Sequence, residues 1–143
     1  MTALSETDVS AHVARVSKEM ANPRYAEMAV GVFVEQHPDA GRFLGAHSED
    51  LGGSEGVIHA VFHAQVLVGC FERVLGKPLP SISFAALDQV ATGSSLDLFK
   101  VHQPSLADYL ATNVEGANMQ RLLALLGLAM DRIATFSRGD ATP

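Results

Sequence analysis

The chain has 143 residues, room for one domain with a substantial core. Hydrophobic residues make up 48% of it, which excludes a disordered chain, and a formal net charge of −6 with a pI near 5.4 argues against nucleic acid or an anionic membrane as partner. The one cysteine, Cys70, excludes an internal disulfide and a cysteine-rich zinc site and fits a reducing cytoplasm. Met1 to Glu6 lacks the basic flank and apolar run of a signal peptide, and no uninterrupted apolar run approaches the roughly 20 residues that span a bilayer. The expectation is a soluble cytoplasmic protein, one domain over residues 1–143.

In chain order, Val9 to Met20 sets Val9, Val13, Val16 and Met20 on one helical face, with Ser5 or Thr7 as cap and Asn22-Pro23 as break. Tyr25 to Gln36 is the next helix, with Met28, Val32 and Phe33 on a shared face, ending at His37-Pro38. Gly41 to Leu44 reads as a short apolar turn and His47 to Gly53 as a loop. Ser54-Glu55 opens the longest helix, Gly56 to Leu75, whose apolar residues nearly surround the axis and mark a central element. Gly76 to Pro80 stops it. Ser83 to Val90 reads as a short helix loosened by Gly93-Ser94-Ser95; Pro104 to Val114 as another; Met119 to Phe136 as a strongly apolar last one, followed by a tail expected to fray from Ser137. The sequence shows no internal repeat, low-complexity segment or domain linker.

Chemistry-bearing residues are few. His59 and His63 stand four apart, one helical turn on one face, with Glu55 a turn before them. Such a row offers metal ligands, but a stable zinc or nickel site needs a third or fourth donor, and no Glu-x-x-His pair of a di-iron bundle is present. No phosphate-binding glycine loop occurs. Ser94 and Ser95 with His102 lack the elbow and the oriented acid of a hydrolase. Cys70, mid-helix among apolar neighbours, reads as an inert core thiol, and Asp131-Arg132 as a solvated pair. The stripe Met119, Leu122, Leu123, Leu126, Met130 and Ile133 reads as a core face, with a homodimer seam left open.

Four stretches carry a family resemblance. Phe33 to Leu44 is similar to the globin stretch that ends the second helix, turns at proline and delivers an aromatic against the heme; that position holds Leu44, with Phe43 just before it. His63 to Phe71 resembles the helix that begins with the distal histidine, and Phe84 to Val90 the start of the ligand-bearing helix. Val101 to Leu110 is similar to the helix entry of single-domain bacterial globins and flavohemoglobins. Together they cover most of residues 4–136 in globin order. The proximal histidine is missing: Ala91, Gly93 and Ser94 stand where it would fall.

The resemblance implies an all-α, globin-like fold of six to seven helices with a shortened last pair. It also implies a heme pocket lined by Phe43, Leu44, Val66, Leu67, Val90, Leu98 and His102. Iron would be bound from the distal side by His63, or alternatively His59, since neutral imidazole is the commonest protein donor to heme. Iron open on its other side would take a diatomic gas, exogenous imidazole or peroxide, with peroxidase-like chemistry in reach. The alternative is a heme-free domain that keeps an apolar pocket for a fatty acid or similar molecule, or serves as a sensor or interaction scaffold. A metal or hydrolytic enzyme unrelated to globins is the third reading.

Overall fold

The structure, a computed structural model, describes residues 3–91 and 93–138, and among them it is all α-helical, with nine helices. The first is α1 (Glu6–Glu19), capped by the Ser5 hydroxyl, which accepts the Asp8 N–H at 3.0 Å, with Glu6 and Asp8 in its positive first turn. Then come α2 (Tyr25–Gln36), α3 (Pro38–Ala46), α4 (Ser48–Leu51) and α5 (Ser54–Leu75). Gly76 stops α5 in the left-handed region (φ 71°), where a side chain would be strained. The remaining helices are α6 (Phe84–Val90), α7 (Ser95–His102), α8 (Pro104–Asn113) and α9 (Ala117–Arg138).

Several elements differ from expectation. The turn and loop expected between Gly41 and Gly53 are helical, because Pro38, having ended α2, occupies the first turn of α3, where its missing N–H costs nothing. Helix α7 was not expected; it begins straight after the Gly93-Ser94 turn, which does separate it from α6. The last pair is not uniformly short: α8 has 10 residues, but α9 has 22, as many as α5. Ser137 and Arg138 belong to α9, and residues 139–143 lie outside the described residues.

Helices α5 and α9 form the centre and pack against each other. By length and composition α5 qualifies to cross a membrane; here Ala60, Val61, Ala64, Val66, Leu67, Val68, Cys70 and Phe71 are buried in the protein's own core. In the α9 stripe Leu122, Leu123, Leu126 and Met130 are buried, and Met119 and Ile133 pack on the same core.

Contrary to the expectation of no repeat, the chain builds one arrangement twice. Helices α1 and α2 pack on α5 as α6 and α7 pack on α9, while α3 continues from α2 as α8 does from α7. The halves also exchange contacts in kind, α3 touching α6 and α8 touching α1. At a constant offset Phe33, Pro38, Phe43 and Leu44 match Phe99, Pro104, Tyr109 and Leu110. His37 (φ −130°, ψ 63°) and Gln103 (φ −138°, ψ 69°) each end one helix and begin the next, outside the helical region that a following proline disfavours.

Both corner residues are fully buried, and each holds the other half. The Ile82 N–H, just before α6, donates to His37 Nδ1 at 3.1 Å; the Leu4 N–H, just before α1, donates to Gln103 Oε1 at 2.8 Å. Each of these donors precedes a serine N-cap, Ser83 or Ser5. A buried backbone N–H left unpaired costs about 1–3 kcal/mol, so two reciprocal side-chain acceptors lock the halves together.

Candidate functional site

Each half opens a cleft between the end of its first helix, its second helix and its central helix. In the second half the cleft measures about 510 Å³, within the size range of small-molecule sites. Its apolar walls are Val90 at the end of α6, Leu98 on α7, and Leu128 and Phe136 on α9. Its polar groups are Gln89, His102, Asp131, Arg132 and Thr135. Leu128, Asp131, Arg132 and Thr135 recur at helical spacing, which puts them on one face of α9.

All of these polar groups but the exposed His102 are held in place. Gln103 Nε2 donates to Asp131 Oδ1 at 2.7 Å, so the corner between α7 and α8 fixes the floor of the cleft. Arg132 Nε donates to Gln89 Oε1 at 3.0 Å, and its guanidinium lies 5.4 Å from the centre of the Phe136 ring. Phe136 and Leu98 are exposed, an arrangement that leaves apolar surface facing the opening. Asp131-Arg132, expected as a solvated pair, is therefore a bonded part of a cleft wall; Arg132 remains exposed, but Asp131 is half-buried.

The cleft of the first half is of like size, about 500 Å³. Phe62, Gln65, Val66 and Gly69 on α5 occupy the positions of Leu128, Asp131, Arg132 and Thr135, and α1 contributes His12, Arg15 and Glu19. The His12 ring lies against Gly69, where a methyl group would collide with its Nε2. Burial, and then the charges of Arg15 and Arg73, hold His12 below the ordinary histidine range.

The residues named from the sequence divide among these places. Val90, Leu98 and His102 come together in the second cleft, and Val66 lines the first. Leu44 and Leu67 are fully buried, and Phe43 packs on the core with its ring edge-on to His47. His59 is exposed on α5. His63 is half-buried, and its Nδ1 shares a 2.8 Å hydrogen bond with the Tyr109 hydroxyl of α8. Burial first, and then the neighbouring His59, lowers the His63 pKa; burial first, and then Cys70, raises that of Tyr109. Cys70 is buried and its thiol is pushed up to about 12, which makes it a poor nucleophile.

Heme can be tested against this arrangement. A porphyrin needs a slot with the donor imidazole on its wall. Neither His59 nor His63 lines either of these two clefts, and α5 and α9 pack directly on each other, with Leu67, Phe71, Leu126 and Met130 in the shared core. The residues as arranged do not fit a heme held by His63 between walls of Val90 and Leu98. Among the described residues no three His, Cys, Asp or Glu side chains group as metal ligands, the row Glu55, His59, His63 included.

Seven lining residues of the second cleft are not among the pocket residues named from the sequence: Gln89, Ala91, Leu128, Asp131, Arg132, Thr135 and Phe136. The usable signal was the polar run Asp131-Arg132 inside an otherwise apolar helix face, and it points into the cleft only because α6 and α7 lean on α9 there. Comparison with known protein families, curated proteins and solved structures finds no match to this chain.

Proposed function

We propose that this protein is a heme-free helical domain that binds a small amphipathic molecule, such as a fatty acid, in the cleft between α6, α7 and α9. One observation carries the reading: apolar walls of Val90, Leu98, Leu128 and Phe136 surround a space of about 510 Å³ with a few fixed polar groups at its edge. That is the composition small-ligand sites share, an apolar body with polar groups that orient the guest. The apolar chain of the ligand lies along Leu98 and Phe136, and Arg132 with His102 meets its carboxylate or other polar head.

The chain contains no tryptophan, so Leu98→Trp supplies a single fluorescent reporter in the cleft wall. Titration with dodecanoate is expected to change its emission saturably, and adding Phe136→Ala is expected to weaken the response several-fold. No saturable change with dodecanoate would overturn the reading. The rival proposal is a globin-like fold carrying heme on His63: a Soret band on adding hemin, shifted by His63→Ala, would put that in its place.

A further inference from the structure

Of the pocket residues named from the sequence only Val66 reaches the cleft of the first half, and the proposed dodecanoate site does not involve it. It occupies the position equivalent to that site in the other half and has nearly its volume, about 500 against 510 Å³, but its lining differs in kind. His12, Arg15, Val16 and Glu19 repeat at helical spacing along α1, and Phe62, Gln65, Val66, Gly69 and Arg73 along α5, so two helix faces look into one space. Tyr25 and Met28 at the start of α2 close its third side.

The arginines here make no close ion pair. Among the described residues, the ion pairs within 4.0 Å are Arg42 with Asp39 and His47 with Asp50; Arg15 and Arg73 make none. The carboxylate of Glu72, which also borders the cleft, accepts the Leu79 N–H at 2.7 Å and is turned to that loop; Glu19 lines the cleft too and, like the arginines, is exposed and makes no ion pair within 4.0 Å. The charges felt at the His12 ring are those of the two arginines. Guanidinium groups beside aromatic and aliphatic walls suit a planar carboxylate with an apolar body, since Arg pairs bidentately with carboxylates.

We infer that the cleft between α1, α2 and α5 is a second ligand site, which takes a small organic carboxylate through Arg15 and Arg73 and seats its apolar or aromatic body on Tyr25, Phe62 and Val66. The inference is independent of dodecanoate binding in the other half.

Isothermal titration of the intact protein with benzoate tests it, with the uncharged amide benzamide as the matched control. Saturable benzoate binding is expected, at least tenfold tighter than benzamide, weakened at least tenfold by Arg15→Gln or Arg73→Gln and unchanged by Arg132→Gln. Both arginines are exposed, so the variants are expected to keep the parent's melting curve. No benzoate binding at millimolar concentration, equal binding of benzamide, or affinity lost in Arg132→Gln but kept in both other variants would each overturn the assignment.

Discussion

The two halves solve the same construction problem with different chemistry. Each uses an aromatic, a buried polar corner and a proline to turn one helix into the next, and each corner catches the backbone leading into the other half. In the second half the corner is complete. Gln103 accepts the Leu4 N–H with its oxygen and spends its nitrogen on Asp131, which lines the cleft. In the first half the equivalent atoms are His37 Nε2 and Gln65 Oε1, both buried and neither with a hydrogen-bond partner. One corner is a closed amide-to-carboxylate network; the other is an imidazole whose second nitrogen has nothing to bond. A duplicated frame thus carries one tied cleft floor and one untied one, and the linings of the two clefts differ as well.

The largest expected effect falls on the first corner in acid. His37 accepts a backbone N–H on Nδ1, so it must stay neutral, and burial holds its pKa at about 4, against an ordinary 6.5. Between those values the unfolded chain binds the proton and the folded one does not, so stability falls as pH drops from 6.5 to 4 and then levels off. The loss is about 3 kcal/mol, from roughly 1.4 kcal/mol per pKa unit. His12 and His63, also lowered, push the same way. Urea unfolding across that pH range should show it, and His37→Asn should flatten the curve.

Breaking the second corner costs less but acts locally. Gln103→Leu strands the Leu4 N–H and Asp131, a loss of about 2 kcal/mol by urea unfolding. It should weaken dodecanoate and leave benzoate binding unchanged. A smaller effect is expected from Gln65→Glu, which puts a carboxylate where the second half has Asp131: by NMR titration His37 should rise by about one unit, since an opposite charge favours the protonated ring.

Much of the frame was readable in the sequence because it depends on local signals. Ser5 as a cap, Gly76 as a stop, the all-round apolar α5 and the apolar stripe of α9 each act within a turn or two of themselves. The duplication was hidden because few identities survive between the halves, and because α1 has 14 residues against 7 in α6, which shifts the register ahead of α2 and α7. Proline is ambiguous as a local signal: Pro38 follows the end of α2 and also starts α3. Of the pocket residues suggested by resemblance, Val90, Leu98 and His102 share a cleft, while the histidine pair of α5 sits elsewhere, His63 engaged by Tyr109. Which helix faces another is set by tertiary packing, and a face of α9 carrying Asp131 and Arg132 looks solvated until α6 and α7 are laid against it.

The most direct test of the proposed function is a methyl NMR titration of the intact protein with dodecanoate. The account predicts saturable shifts at Val90, Leu98 and Leu128, with Val66 and Leu67 of α5 unmoved. Shifts centred on Val66 and Leu67, or none at all, would contradict it.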